Sequence, residues 1–589
     1  MRARTVTVRP TLGAVASAEA LAVLVCAALA SAHWGWWPAA LAVVVISAAA
    51  LTRVHRRNIA QWLFARVRWS RQRRHTTPVG AAIDIEHAGS IYGVRVGGSQ
   101  AVTMIRVAGR PYLPTFLRGS TLSRTANELP LSVLAGLLDQ PGDLHIGIDI
   151  ISSGQRVRTI AGSGYPQLYS TLLADRPAAG QRSVSLIVRL DLAASAPGLL
   201  YRQSIGTAAA AATDRIIKAL QQNNIRASAV AAEDLNAELD TLGLGLAAPA
   251  QTPPDPSDDP DQSDDGTSAD ANTAKSQHYL RRRRRLTATG LPKANVQWGT
   301  VHVKPGYETS YYFSADDITT EAFAHMWSLR ADHIVHTVML RKEHDPQRRH
   351  YGQVLVSALA RTTEPQAPQE PPTLFLNPLP GDQYAAALRA APTTAPTLSL
   401  PAAVLDERLR IPIGETGVLV GTARQDLPAA VPAVQRDDLV MWPLTDPLRA
   451  TRITMATSDF YVRQLLIRSA ATGQRIAIYS AAPQRWVSIG DPNIAVVTAG
   501  RPAPFVPTII VDDHAPTVPP TGLALTMITV GRRPGTHPDI LFEQYAPTAV
   551  RIIVSGRAVE VAPIVFRHEQ AWTGEPAPAG RTEPAGAAR

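Results

Sequence analysis

Two apolar runs near the N-terminus constrain this chain more than any other feature. The first, residues 12–32, can cross a hydrocarbon core of ~30 Å as a helix rising about 1.5 Å per residue. The second, residues 38–57, reaches spanning length only with the aromatic and arginine residues at its ends. Glu19 is the only formally charged side chain between Pro10 and Arg53. The pattern predicts two transmembrane helices joined by a short extracytoplasmic loop at 33–37.

Arginine lies on both outer flanks of these runs and is absent from the loop between them. Because positive charge collects on the cytoplasmic side of membrane proteins, residues 1–11 and the whole chain after the second helix are predicted to be cytosolic. Residues 58–78 are predicted to form a basic juxtamembrane helix on anionic lipid, each arginine contributing ~1 kcal/mol, with an ordinary stop-transfer flank as the alternative. The residues expected at the membrane interface are Trp34, Trp36, Trp37, Arg53, Arg56, Arg57, Trp62, Arg66, Arg68 and Trp69.

A cleaved signal peptide is the alternative interpretation of the N-terminal segment. Arg2, Arg4 and Arg9 form a basic n-region, and residues 30–32 match an A-x-A cleavage site. Against export stand the second apolar run, directly after that site, and the acid-free, arginine-rich stretch at 53–74.

The rest of the chain is long enough for two or three folded units. Residues 79–363 alternate strand and helix patterns, which predicts an α/β sandwich interrupted by a Pro- and Asp-rich disordered loop at 246–280. A Pro/Ala-rich linker at 364–400 precedes a second α/β unit at 401–572, and residues 573–589 form a disordered tail. The fold class is therefore a membrane-anchored α/β protein, with a two-helix N-terminal hairpin, cytosolic α/β sandwich units and no P-loop.

Charge and cysteine content exclude several functions. Only five of the 58 basic residues are lysines, a bias that GC-rich coding produces, so the net charge of +10 does not indicate nucleic acid. The run Arg281 to Arg285 has no aromatic residues interleaved in it and no nucleic-acid motif beside it. Its role stays open between a solvated run, a clamp on the acidic loop, a lipid or nucleic-acid patch and a partner contact. The single cysteine, Cys26, excludes intramolecular disulfides and Cys-based zinc clusters.

A pair of aspartates invites a nucleotide-binding interpretation. Asp512 and Asp513 follow the apolar residues Ile509, Ile510 and Val511, as in a magnesium-ordering Walker B strand. The β-α-β pattern at 452–480, however, opens its helix with "ATSDFYVRQ", which has no glycines to wrap phosphate and no Gly-Lys-Ser/Thr. A degenerate relative of an ATPase fold is favoured over a working ATPase.

No other cluster predicts catalysis. His333 and His336 lie near the start of a predicted strand, where a separation of three residues points them to opposite faces and disfavours a shared metal ion. Asp316, Asp317 and Glu321 suit the first turn of a helix. The sequence therefore predicts no catalytic, cofactor-binding or metal-binding residues, and no small-molecule substrate.

The order of the parts resembles a known family. The apolar hairpin and its arginine-rich exit are followed by "YGVRVGG" and "AVTMIRVAGRPYLPT", then by "YETSYYFSADDIT", and finally by "IAIYSAAPQRW". Together these resemble the EccE component of the type VII (ESX) secretion system of actinobacteria. The residues that carry the resemblance are Gly93, Val94, Arg95, Gly109, Pro111, Tyr112, Pro114, Thr115, Ser310, Tyr311 and Trp486.

The resemblance implies a non-catalytic subunit of a secretion complex in the plasma membrane. Members of this family sit at the periphery of the assembly beside EccB, EccC and EccD, and EccC supplies the ATPase motor. Two alternatives stay open at this point: a membrane-tethered enzyme with a degenerate nucleotide-binding unit, and an exported protein with a cleaved leader.

Overall fold

The computed structural model describes residues 6–8, 12–31, 36–54, 59–73, 77–159, 162–249, 294–304, 306–343, 352–394, 396, 398–498, 501–516, 518, 526–535 and 537–574. Most of the acidic loop, the run Arg281 to Arg285 and nearly all of the predicted tail lie outside these residues. The interface residues Trp34, Arg56 and Arg57 lie outside them as well.

The helices are α1 (Leu12–Ser31), α2 (Trp36–Leu51), α3 (Ile59–Gln72), α4 (Leu131–Ala135), α5 (Tyr165–Leu172), α6 (Ala196–Leu199), α7 (Ile205–Gln222), α8 (Ala232–Leu242), α9 (Thr320–His325), α10 (Gln383–Arg389), α11 (Asp459–Ala471) and α12 (Gln570–Thr573).

The strands of the N-terminal part are β1 (Val6–Val8), β2 (Thr52–Val54), β3 (Thr77–Val79), β4 (Ala82–His87), β5 (Ser90–Gly97), β6 (Gln100–Ala108), β7 (Thr115–Arg118), β8 (Leu122–Thr125), β9 (Glu128–Pro130), β10 (Asp139–Gln140), β11 (Leu144–Gln155), β12 (Gln181–Asp191), β13 (Arg226–Ala229) and β14 (Ala247–Pro249). After the acidic loop follow β15 (Asn295–Val296), β16 (Val301–Val303), β17 (Gly306–Phe313), β18 (His333–Lys342), β19 (Val354–Glu364), β20 (Leu376–Pro378), β21 (Ala403–Val404) and β22 (Arg410–Pro412). The C-terminal part adds β23 (Val418–Ala423), β24 (Leu439–Trp442), β25 (Thr451–Ala456), β26 (Ile476–Ser480), β27 (Ile494–Val497), β28 (Ile509–Asp513), β29 (Thr526–Val530), β30 (Ile540–Ala546), β31 (Ala549–Val554) and β32 (Arg557–Ala562).

The two apolar runs near the N-terminus are both helical, as α1 and α2. The short strands β1 and β2 on their outer sides pair antiparallel. Within the part of the chain that the structure describes, no helix has the length and hydropathy needed to cross a membrane. The predicted two-helix membrane hairpin is therefore not supported by the structure.

The first large sheet is antiparallel and follows the order β15-β16-β17-β19-β18-β11-β12-β6-β5-β4. Its central strands β11 and β12 are buried along most of their length, because helices cover both faces. Strands β5 and β6 pair antiparallel around a glycine-rich turn, and β18 and β19 form a second antiparallel pair.

Helices pack on both faces of this sheet. On one face α7 contributes Ile216 and Leu220, which recur every fourth residue along its apolar stripe, and the Ser204 side chain accepts the Thr207 N–H to cap it. On the opposite face α8 contributes Leu235 and Leu239 to a separate core, together with α10. The result is a three-layer α/β arrangement.

The second sheet has a parallel half and an antiparallel half. Strands β27-β26-β28-β29-β25-β30 are parallel neighbours, and β31, β32, β23, β24, β7 and β8 continue the sheet antiparallel. The predicted β-α-β of this unit is confirmed as β25, α11 and β26, with Ser458 capping the helix. Helix α11 is buried nearly all round, since it packs on the sheet and is covered by α5 and α12.

Segments of the N-terminal part complete the second unit. Strand β7 pairs with β24, so Phe116 and Leu117 enter the core of the C-terminal unit. Helix α5 adds Tyr165 and Tyr169 to the same core. The two units are thus more interwoven than a division at the 364–400 linker suggests.

Candidate functional site

The carboxyl ends of the parallel strands are the place where a nucleotide would bind in a sheet of this type. Numbered by their order in the chain, β25, β26, β28, β29 and β30 lie side by side in the order fifth, first, fourth, third, second. The remaining parallel strand, β27, lies beyond β26 at the edge of the sheet. Asp512 and Asp513 end β28, the strand whose sequence invites the Walker B interpretation.

Both carboxylate oxygens of Asp513 accept hydrogen bonds from side chains of this protein. Its Oδ2 accepts the Ser480 hydroxyl at 2.5 Å and the Trp486 indole N–H at 2.9 Å, and its Oδ1 accepts the Arg485 guanidinium at 2.9 Å. The residue is 1% exposed. Its carboxylate therefore has a complete set of internal partners.

The neighbouring carboxylates are paired in the same way. Arg533 donates to both oxygens of Asp512, at 2.6 and 2.9 Å, and Arg485 also grips Asp459 at the start of α11. The hydrogen bonds that Arg485 donates to the Asp459 carboxylate raise the pKa of Arg485. Two guanidiniums thus neutralise much of the negative charge that a Walker B strand would offer to magnesium.

The start of α11 is also unsuited to phosphate. The Ser458 side chain accepts the Tyr461 N–H at 3.4 Å, and the next residue, Asp459, places a carboxylate where a phosphate would sit. The Asp459 carboxylate would repel a phosphate at this helix N-terminus, and the segment has no glycine loop to wrap one. The edge is therefore a cluster of ion pairs whose charged groups bond one another.

The histidines of β18 are buried and neutral. Burial lowers the pKa of His333 to about 4 and that of His336 to about 3. Nε2 of His333 lies 3.1 Å from the Ser153 hydroxyl, and His336 packs 5.0 Å from the Trp327 ring. Among the described residues no group of His, Cys, Asp and Glu is arranged to hold a metal ion.

Helix α3 carries four of the residues expected at the membrane interface. The rings of Trp62 and Trp69 both pack 5.7 Å from the Trp298 ring, and the Trp69 indole N–H donates to the Val296 carbonyl at 3.1 Å. Arg66 lies over the Trp69 ring at 4.5 Å. One side of α3 is therefore fixed to the folded body.

The fourth of these residues, Arg68, forms an ion pair with Asp382, whose side chain is 5% exposed. The other interface residues lie before α3. Trp37 is 64% exposed on α2, whereas only the backbone of Trp36 and Arg53 is described.

The first resemblance motif holds one edge of the first sheet together. Gly93 donates its N–H to the Val230 carbonyl at 2.8 Å, and a Cβ at this position would lie 2.6 Å from the backbone of Ala231. Arg95, 1% exposed, donates to the Gly80 carbonyl at 2.9 Å and to Pro392 and Asn236. Burial lowers its pKa to about 10. Val94 between them is fully buried.

The second motif bridges the two units. A Cβ at Gly109 would lie 2.5 Å from the Asn127 side chain, and that amide bonds both the N–H and the carbonyl of Arg110. After Pro111, Tyr112 adopts a positive φ of 58° and places its hydroxyl 3.0 Å from Thr451 of the second unit. Pro114 then leads into Thr115, the buried first residue of β7.

The remaining motif residues are structural as well. The Ser310 backbone is bonded in both directions by the side-chain amide of Gln383, at 2.8 and 3.0 Å, which ties β17 to α10. Burial raises the pKa of Tyr311. Trp486 is the donor to Asp513 described above.

A second buried cluster was not predicted from the sequence. Arg468 of α11 and Glu569, just before α12, are both fully buried and bond at 2.7 and 3.0 Å. The Tyr165 hydroxyl of α5 donates to Glu569 at 2.6 Å. No local signal marks this pair, because the two side chains are 101 residues apart.

A cleft of about 420 Å³ lies between the two units. Arg182 bonds the Gly414 carbonyl at its wall, and Arg226 bonds Asp446 at 2.8 and 3.1 Å. Glu415 accepts the Thr445 hydroxyl at 3.1 Å, and burial raises its pKa to about 7. Arg226 and Asp446 are thus an ion pair, whereas Arg182 and Glu415 bond to uncharged groups of the protein.

Comparison with known proteins gives two matches. The family model described as the putative type VII ESX secretion system translocon, EccE, matches residues 178–312. The chain is also 26% identical over 578 residues to the ESX-2 secretion system protein EccE2 of Mycobacterium tuberculosis (strain CDC 1551 / Oshkosh). That alignment covers 92% of this chain and 93% of the relative.

Proposed function

We propose that this chain, identified by these matches as an EccE component of a type VII (ESX) secretion system, is a non-catalytic structural subunit of that system. The observation that carries the proposal is the alignment over 92% of the chain, since a match limited to one domain would leave the rest unassigned. The carboxyl edge of the second sheet supports it, because Arg485 and Arg533 occupy the carboxylates that an ATPase would give to magnesium.

The subunit sits at the periphery of a plasma-membrane complex, beside EccB-, EccC- and EccD-like components. In this proposal residues 12–32 and 38–57 cross the bilayer, and the N-terminus and the large C-terminal domain face the cytosol. The support is the sequence pattern: two apolar runs with arginine on their outer flanks only. Anionic lipid at the cytosolic face is the second partner, through the basic segment at 58–78.

Co-purification tests the structural role. Tagged full-length protein, extracted in mild detergent from cells that carry the secretion system, should bring down an EccC-like ATPase and an EccD-like multispan protein. Recovery of the chain alone from extracts in which those components are intact would refute the proposal.

Reporter fusions test the membrane topology. A periplasmic-type reporter inserted at 33–38 should be active outside the membrane, and the same reporter placed after Arg74 should be inactive. Activity at both positions would favour the exported protein with a cleaved leader.

Nucleotide binding tests the competing enzymatic function. The purified full-length protein should show no saturable binding of ATP with magnesium, and the double change Asp512→Ala and Asp513→Ala should leave that result unchanged. Saturable binding that this variant loses would establish a nucleotide site and favour the membrane-tethered enzyme.

A further inference from the structure

Helix α3 has two faces with opposite environments. Its inner face is fixed by Trp62, Trp69 and Arg68, which contact Trp298 and Asp382 of the folded body. Its outer face carries three large apolar side chains in solvent: Leu63 is 64% exposed, Phe64 77% and Val67 49%.

The three exposed side chains form one compact patch. At 3.6 residues per turn, positions 63, 64 and 67 fall within about 100° of one another and span about 6 Å along the axis. The inner-face contacts prevent α3 from rotating to bury them against the body. Folding of the described residues therefore leaves this patch uncovered.

The charge that α3 itself carries is positive. The helix contains Arg66, Arg68 and Arg71 and no acidic residue; Arg66 and Arg68 lie toward the body, and Arg71 projects from the same side as the apolar patch. A short apolar patch flanked by an arginine suits the boundary between phosphate headgroups and acyl chains, where apolar side chains insert and arginine reaches phosphate.

We infer that the outer face of α3, formed by Leu63, Phe64, Val67 and Arg71, lies in the headgroup layer of an anionic lipid bilayer. This rests on the proposed membrane location and changes which residues meet lipid: Trp62 and Trp69 brace the helix on the body, and the aliphatic and phenyl side chains insert. We favour lipid over a protein groove because Arg71 lies on the same side of the helix as the apolar patch and can reach a phosphate headgroup.

Site-directed fluorescence in full-length protein tests the inference. Because Cys26 is the only cysteine, a Cys26→Ser background allows one environment-sensitive label at Phe64→Cys or at Val67→Cys. The protein is reconstituted with vesicles of phosphatidylcholine and phosphatidylglycerol, with or without doxyl-labelled lipid. We expect both labels to shift to the blue and to lose most of their fluorescence to the doxyl quencher.

Tyr201→Cys is the matched control. Tyr201 is also a large exposed side chain, 91% accessible, but it follows α6 on the face of the first sheet opposite to α3. Its label should keep water-like emission and resist the doxyl quencher. Water-like emission at positions 64 and 67, equal to that at 201, would overturn the inference.

Two further measurements distinguish a protein partner on the patch from failure of the proposed function. A photo-cross-linking residue at Phe64, activated in cells, would give an adduct of defined protein mass if a partner covers the patch, and this would also overturn the inference. Co-purification with the secretion subunits is a separate measurement. If the labels are quenched but the subunits do not co-purify, the lipid contact stands and the structural role is refuted. If the subunits co-purify but the labels are not quenched, only the lipid contact is refuted.

Discussion

At the scale of single residues, the ion pair of Arg468 and Glu569 joins α11 to the segment before α12 inside the core. Both side chains are fully buried, and Glu569 also accepts from Tyr165 and Gln464. A buried ion pair is tolerated only when every lone pair and proton finds a partner, because desolvation of the charges costs several kcal/mol. The pair therefore depends on three helices holding their positions.

Replacement of Glu569 by Ala should destabilise the protein strongly. The change leaves the Arg468 guanidinium charged and unpaired in the core, which costs on the order of 3–5 kcal/mol. Thermal unfolding followed by circular dichroism should show a clearly lowered midpoint. Glu560→Ala is the matched control, because its partner Arg551 is on the surface, and it should leave the midpoint nearly unchanged.

Glu415 should make stability fall as the pH rises from about 4.5 to about 7. Its pKa is about 7 in the folded protein, so over this range the folded state holds a proton that the unfolded state has lost. The full effect would be about 1.4 kcal/mol per pKa unit, and residual solvent contact of the side chain reduces it.

Comparison with Glu415→Gln at each pH isolates this contribution. The buried histidines act in the opposite sense, since their lowered pKa values cost stability as the pH falls below 6.5, but they are common to both proteins. We expect the variant to gain stability relative to the parent as the pH rises through this window. Parallel stability curves for the two proteins would contradict the assignment.

At the scale of elements, close approach between strand β5 and the loop before α8 depends on Gly93. Its hydrogen bond to Val230 brings backbone to a distance that no side chain tolerates. Arg95, two residues further along the same strand, then reaches Asn236 of α8. The absence of a side chain at Gly93 thus lets the strand approach the start of α8, and the long side chain of Arg95 bonds the strand to the helix.

Gly93→Ala should separate these two elements. Its Cβ would lie 2.6 Å from the Ala231 and Ala232 backbone, and backbone shifts of this kind typically cost about 1–3 kcal/mol. Denaturant unfolding measures the loss. Gly136→Ala is the control, because its Cβ would meet nothing closer than 3.9 Å, and an equal loss in both variants would contradict the steric explanation.

Local signals explain which elements were predictable from the sequence. Ser458 and Gly473 mark the two ends of α11, so the β-α-β unit could be located from its cap, its stop and the strands on either side. The aspartate pair at 512–513 was also found, but its partners were not. Arg485 and Arg533 lie 28 and 21 residues away from it, and nothing nearby in the sequence indicates that they fold back onto the carboxylates.

Long-range pairing explains what could not be predicted. The pairing of β7 with β24 joins segments about 320 residues apart, as the Arg118 to Asp438 ion pair beside it shows. The amphipathic pattern of α3 was read from the sequence as lipid-facing. Which of its sides meets the body depends on Trp298, on the far side of the acidic loop.

At the scale of the whole molecule, the two sheets are held as one body by elements that cross between them. The core of the second unit contains Phe116, Tyr165 and Tyr169 from the N-terminal part. Ion pairs of Arg118 with Asp438 and of Arg226 with Asp446 lie on the same seam. These crossing elements fix the two units to each other, as a subunit proposed to hold its neighbours in place requires.

The C-terminal unit should therefore fail to fold when it is produced alone. A fragment of residues 401–574 lacks β7 and α5, so β24 would lose its partner strand, the Leu419 N–H would lose the Tyr169 hydroxyl and the Glu569 carboxylate would lose the Tyr165 hydroxyl. Each large apolar side chain left uncovered costs about 1.5–3 kcal/mol, so the loss of several is comparable with the usual stability margin of about 5–15 kcal/mol. Limited proteolysis should degrade this fragment rapidly, whereas the full-length chain resists under the same conditions. A cooperative thermal transition of the isolated fragment at the full-length midpoint would show that the crossing elements are dispensable.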